Sequence, residues 1–169
     1  GKFDPGKARA AFKEGLGIGQ VGRPSDAGSS GHEPGKGLDA RAQAELTNAI
    51  QKFFIEESRL GIPVVFHEEC LHGLAGVGAT SFCQPIGLAA TFNPELVERL
   101  YTMTALEARS RGTHQALTPV VDVARDPRWG RVEETFGEDP YLVSRMGVAA
   151  GRGFQGGASV RGKARGMGT

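Results

Sequence analysis

Thr118 to Pro140 reads TPVVDVARDPRWGRVEETFGEDP, the densest run of charge, aromatics and turn residues in the chain. Just before and into it, Gln115 to Val121 (QALTPVV) has the apolar content of a short buried strand. After it, Asp139-Pro140 has the form of a helix start, an N-cap acid followed by proline at the first helical position. Between strand and helix sit Asp122, Arg125, Asp126, Arg128, Arg131, Glu133, Glu134, Glu138 and Asp139. A loop this long inside a compact domain is more often functional than a mere connector. A buried strand, a polar loop and a helix make one βα unit, and the rest of the chain repeats that pattern.

Working upstream, Asn93-Pro94 starts a helix whose inner face includes Leu96, Leu100 and Met103 or Thr104, ending at Gly112. Ile62 to Phe66 (IPVVF) is a β-branched apolar run, expected as a strand buried on both faces, followed by a polar loop from His67 to Ser81. Asp39 begins a helix with Leu46, Ile50 and Phe53 on one face and Gly61 as its stop. Residues 23–38 form a turn-rich loop with Pro24, Ser25, Asp26, Ser29, Ser30 and Pro34. Residues 1–22 give a first helix from Asp4-Pro5 to Gly15, carrying Ala8, Ala11 and Phe12, and a short strand from Ile18 to Val21. Downstream of the long loop, the last helix turns Leu142, Met146 and Ala149 or Ala150 inward. Residues 157–169 are a Gly-rich basic tail, so residues 39–156 hold the βα units.

The order helix, strand, helix, strand, helix, strand, helix predicts an α/β fold with a parallel sheet and right-handed crossovers. The long polar loops follow strands, which places them on the carboxyl face where ligands bind in such folds. Three strands fit either a small open sheet or the beginning of a closed barrel, which needs eight strands and about 250 residues.

Composition narrows the classes. The 169 residues suffice for one domain with a core, and 39 % apolar with 23 % charged residues is globular. A net charge of +1 gives no reason to expect nucleic-acid binding or a polybasic membrane anchor. No apolar run approaches the ~20 residues of a membrane helix. The start, GKFDPGKARA, carries no apolar signal core and no initiator Met, which leaves the compartment open: cytoplasmic, or periplasmic or secreted if a leader precedes it. Two cysteines, Cys70 and Cys83, make neither a disulfide framework nor a metal knuckle and are expected as free thiols.

Two motifs invite chemistry that their context refuses. Gly17, Gly19 and Gly22 match the dinucleotide pattern G-x-G-x-x-G, but a helix precedes them and no helix follows directly. A glycine-lined strand is the better reading, and no cofactor is expected. His67-Glu68-Glu69-Cys70-Leu71-His72 suggests a zinc site, yet its histidines are five apart, about 140° out of line on a helix. No metal is expected. The segment reads instead as a strand end that delivers carboxylates and imidazoles to a polar ligand.

DVARDPRWGRVEETFGEDPYL resembles the signature of the family 3 glycoside hydrolases, which include β-glucosidases and β-xylosidases. The resemblance is close from Arg59 to Gly156 and looser before. It implies the N-terminal portion of a (β/α)₈ TIM-like barrel, incomplete in this chain. It also implies a β-linked oligosaccharide or glycoside as ligand. Glu69, three residues before His72-Gly73, matches the family's acid that accepts hydrogen bonds from hydroxyls of the non-reducing sugar. Arg131, after Trp129-Gly130, matches the arginine that binds substrate. In support, His72 belongs to the sugar-clamping turn, and Arg125, Asp126 and Arg128 are expected to pair with one another and with Asp122 or the later acids. Trp129 is suited either to stacking on a sugar face or to burial under the loop. Glu134 and Glu138-Asp139 fit loop acceptors and a helix cap.

Retaining hydrolysis needs two carboxyls ~5 Å apart. The resemblance puts the nucleophile Asp, the acid/base and a sugar-binding Lys-His pair beyond the matched residues, so no catalytic residue is assigned here and the missing C-terminal part of the chain is the expected partner. The competing reading is a non-catalytic α/β carbohydrate-binding or structural module.

Overall fold

The computed structural model describes residues 2–25 and 37–156. The expectations for most of the 23–38 loop and for the 157–169 tail lie outside them. In chain order the elements are α1 (Pro5–Phe12), β1 (Gln20–Gly22), α2 (Ala40–Glu56), β2 (Val65–Glu68), α3 (Pro85–Ala89), α4 (Pro94–Ser110), β3 (Gln115–Ala116), a 3₁₀ turn (Val132–Glu134) and α5 (Pro140–Gln155). The three strands form one parallel sheet in the order β1-β2-β3, with Val21 opposite Phe66 and Glu68 opposite Ala116. Parallel neighbours in chain order, each pair joined through a helix, are the βα repeat of a barrel wall. None of the described helices is long and apolar enough to cross a membrane.

The helix starts follow from their caps. Asp4 accepts from Gly6 N at 2.9 Å, Asp39 from Ala42 N at 2.8 Å, Asn93 from Leu96 N at 3.0 Å and Asp139 from Leu142 N at 2.7 Å. Each bond satisfies a backbone donor that has no partner inside its helix. Pro5, Pro94 and Pro140 occupy first-turn positions where a missing N–H costs nothing. Among the described residues, two apolar clusters fill the space around the sheet. Phe53, Phe54, Val64 and Phe66 close the α1–α2 side, and Leu100, Tyr101, Met146, Ala150 and Phe154 close the α4–α5 side.

Several expected elements differ in the structure. Ile62 and Val65 are 56 % and 38 % exposed, so the run 62–66 is not buried on both faces. Gln51 of α2 explains why β2 begins only at Val65: its side-chain amide donates to Val64 O at 2.6 Å and accepts from Val64 N at 3.0 Å. That bracket occupies the backbone groups a strand partner would need. At the other end β2 continues through His67 and Glu68, which were expected in the loop. β3 is shorter than 115–121, since Pro119 has no N–H to give a ladder, and pairing resumes only as a bridge between Val120 and Thr135. The short α3 had no expectation at all.

Helix faces are also rotated. α2 buries Gln43 and Thr47 along with Phe53 and Phe54, while Leu46 and Ile50 are only half-buried beside α1. α4 buries Val97, Leu100, Tyr101 and Thr104, leaving Met103 54 % exposed and Leu96 at the surface. The two threonines take core positions because their hydroxyls find acceptors within the helix: Thr104 Oγ1 donates to Leu100 O at 3.1 Å, and Thr47 Oγ1 to Ala44 O at 3.0 Å. α1 and α2 stop at Phe12 and Glu56, short of Gly15 and Gly61. Gly112 does stop α4, at φ 93°, where a Cβ would run into Thr47.

Candidate functional site

Immediately beyond β2 the chain makes a compact turn from Glu69 to Ala75, and its carbonyls are taken one by one. Ala75 N donates to Glu69 O at 2.9 Å, the buried Tyr101 hydroxyl to Leu71 O at 2.8 Å, and Phe82 N to His72 O at 2.7 Å. Gly73 is at φ 103°, and a Cβ there would collide with Thr80 O. The turn therefore demands glycine and clamps its neighbours. Ser81 Oγ lies 3.4 Å from His72 Nδ1. Cys70 belongs to the core and is fully buried, and that burial pushes its thiol well above the ordinary range.

The second wall comes from the long loop. Asp126 and Arg128 form a two-pronged pair, with Arg128 Nη2 at 2.6 Å from Asp126 Oδ2 and Nε at 3.0 Å from Oδ1, and Arg128 N adds a bond at 2.9 Å. These bonds hold the Asp126 carboxyl below its usual range. Trp129 N closes the turn on Asp126 O at 3.0 Å. Arg131 donates through Nε to Glu134 Oε2 at 2.8 Å, and its Nη2 meets the same oxygen. Chiefly through that bond its guanidinium is held above its ordinary value; the Asp122 and Glu69 carboxylates add smaller pulls of the same sign.

These two walls face each other. Glu69, Leu71, His72, Gly73, Ala75, Gln84, Arg131, Glu133 and Glu134 line one cleft of about 390 Å³ at the carboxyl end of the sheet. Of the residues singled out from the sequence, Glu69, His72, Arg131 and Glu134 meet there. A carboxylate, a guanidinium, an imidazole and an amide lining one cleft offer both acceptors and donors, as a polyhydroxylated ligand requires.

The others lie elsewhere. Arg125 does not join Asp126 and makes no ion pair among the described residues; it lines a separate groove with Ile86, Pro127, Val132 and Glu138, across the 3₁₀ turn. The expected mutual pairing thus reduces to Asp126 with Arg128, a pair that closes within one turn. Trp129 is 37 % exposed and is not among the cleft's lining residues. Gln84 and Glu133 line the cleft unforeseen. Gln84 precedes the unrecognised α3, and Glu133 lay among the loop acids without a distinguishing signal.

His67 and His72 part company: His67 lies against Gly22 of β1, with its Nδ1 buried and unpaired. Among the described residues no three His, Cys, Asp or Glu side chains converge to hold a metal ion. Gly19 gives its carbonyl to Val65 N at 3.0 Å and Gly22 ends β1, so these glycines serve the sheet.

The chain is similar to known proteins in sequence and in fold. Residues 14–165 match the sequence profile described as the glycosyl hydrolase family 3 N terminal domain. A β-xylosidase of Formosa agariphila is 49 % identical over 104 residues, 58 % of this chain and 14 % of its own length. A β-glucosidase of Erythrobacter marinus superposes with a TM-score of 0.75 at 38 % identity, covering 90 % of this chain and 19 % of that one. A β-glucosidase of Listeria innocua, solved with isofagomine, superposes at 0.70 with 34 % identity over 90 % of this chain and 18 % of its own. The chain thus spans less than a fifth of the length of each of these three.

Proposed function

Since this chain belongs to glycosyl hydrolase family 3 through its N-terminal domain, we propose that it supplies part of the glycone pocket of an exo-acting retaining β-glycosidase that cleaves β-xylosides or β-glucosides. One observation carries the reading: Glu69 and Arg131, from two different βα loops, line the same cleft. Glu69 accepts hydrogen bonds from adjacent sugar hydroxyls, and Arg131 donates to a hydroxyl oxygen from the guanidinium nitrogen that Glu134 leaves free. His72 and Gln84 close the rim. Glu134 is committed to Arg131, which makes it an orienting group and a poor nucleophile.

Retaining hydrolysis runs through two carboxyl groups, one attacking the anomeric carbon and one protonating the leaving oxygen. We assign both to parts of the protein outside this chain, as the resemblance implies. Relatives named β-xylosidase and β-glucosidase support this class of substrate, as does the Listeria enzyme solved with glucose. The test measures hydrolysis of aryl β-xylosides and β-glucosides by the protein carrying this chain at full length, and by residues 1–169 alone. Activity in the first and none in the second is expected. Hydrolysis by residues 1–169 alone would place the carboxyl pair inside the chain and overturn the assignment.

A further inference from the structure

Glu68 is a fully buried carboxyl that the sugar site does not use. It follows Phe66 on the α2 side of β2, as alternation along a strand requires. Its Oε1 accepts from the backbone N–H of Ser25 at 2.6 Å and from Gln43 Nε2 at 2.9 Å, and its Oε2 accepts from Ser25 Oγ at 3.0 Å. One carboxylate thus ties together the segment leaving β1, the core face of α2 and the end of β2. Leu38 N donates to Ser25 O at 2.8 Å, so the far foot of the β1–α2 connection closes on the same knot. On the backbone, Arg23 N donates to His67 O at 2.8 Å and Leu117 N to Glu68 O at 3.0 Å. The end of β2 is therefore held from both flanking strands and, through Glu68, from behind.

Residue 69 comes next and faces the other way, into the cleft with Arg131. We propose that Glu68 is a positioning residue for Glu69: by clasping Ser25 and Gln43 it fixes the last residues of β2, and so the direction in which the sugar-accepting carboxylate is aimed. This rests on the glycosidase reading of the cleft and adds a role inside it.

The clasp works through hydrogen bonds, and charge is a by-product. Burial pushes the Glu68 carboxyl up, and the Ser25 bonds, with Arg23 nearby, pull it back. Glu68→Gln separates the two. Its amide oxygen can keep the bonds from Ser25 N and Gln43, while its NH₂ donates to Ser25 Oγ, which needs only to turn its proton away. Glu68→Leu keeps the bulk and loses every bond.

The experiment compares the full-length protein with its Glu68→Gln and Glu68→Leu variants, well below their melting points. KM and kcat for an aryl β-xyloside or β-glucoside are read together with amide exchange at Ser25 and Leu38. Glu68→Leu should lower kcat/KM at least ~10-fold, mostly through KM, since a small misplacement of a binding group is costly. Glu68→Gln should stay within ~3-fold of the unmodified protein, with exchange at both amides slow; in Glu68→Leu both amides should exchange faster. Loss of kcat/KM in Glu68→Gln equal to that in Glu68→Leu would show a role for charge and overturn the clasp. Unchanged KM in Glu68→Leu would overturn the positioning. If the unmodified protein cleaves no glycoside, it is the glycosidase reading that falls. The amide exchange then still decides the clasp, and equal protection in all three proteins would end it.

Discussion

His114 accepts a hydrogen bond from the backbone N–H of Phe66 at 3.1 Å, and its ring stacks on the Phe66 ring with centroids 5.7 Å apart and planes 17° from parallel. The accepting nitrogen is Nδ1, so that nitrogen carries no proton and the imidazole is neutral. His114 N in turn donates to Phe66 O at 2.9 Å, so the pair staples the start of β3 to β2.

The staple predicts a pH dependence. Burial, aided by Arg109, lowers the His114 pKa in the folded protein. As pH falls through about 6.5 the unfolded chain takes up a proton that the folded chain refuses. The stabilisation from this group is present above that pH and is lost on the way down toward the folded pKa. Melting midpoints measured from pH 8 to 5 should fall below about 6.5. His114→Asn, whose oxygen can accept the same N–H without titrating, should remove this part of the decline. An identical decline in the variant would clear His114 of the role.

Glu69→Ala and Arg131→Ala, made in the full-length protein, should each lower kcat/KM for a β-xyloside or β-glucoside. The lost charged hydrogen bonds cost about 1.5–3 kcal/mol, or roughly 10- to 100-fold. Wild-type kinetics in both variants would move the glycone elsewhere.

Arg125→Ala should change neither sugar binding nor stability by more than about 0.5 kcal/mol, because an exposed side chain without an ion pair has little to lose. Arg128→Ala removes a pair whose side chains are 88 % and 46 % exposed and therefore screened by water, so the melt should hardly move. Thermal melts of the two variants check both. A large loss for Arg125→Ala would reveal a contact absent from the described residues.

Gly73→Ala should be far more severe. It places a Cβ against Thr80 O at a positive φ, and strained backbone of that kind costs of order 1–3 kcal/mol before any clash. Tyr101→Phe removes the donor to Leu71 O and should cost about 1–3 kcal/mol, the desolvation of the carbonyl left behind. Denaturant midpoints measure both, and near-neutral results would mean the 69–75 turn is held by something else.

Much of this was legible in the sequence because it is written locally. An acid or amide before proline is a start signal complete within a few residues, and Asp4, Asn93 and Asp139 all act as one. Parallel pairing of the strands followed from alternation of element types. What was not legible depends on partners far along the chain. Gln43 and Thr47 look like surface residues until Glu68 and Arg111 O are placed opposite them. Val64 looks like a strand residue until Gln51 claims its backbone. Of the residues that line the cleft, Glu69, His72 and Arg131 had been singled out by motif position, whereas Gln84 needed α3, whose five residues are too few to show a period.

The Gln51 bracket on Val64 has a consequence for how such chains tolerate change. Because α2 itself seizes the residue before β2, the phase of the strand is counted from Val64 and not from the end of the helix. A residue inserted or deleted among positions 57–62 alters the slack of the connection, while the odd and even positions beyond Val64 keep their sides. Without that indexing, a one-residue shift would exchange Glu68 and Glu69, turning the buried carboxyl outward and the cleft carboxylate into the core. Length variation upstream is thereby insulated from the polarity of the pocket.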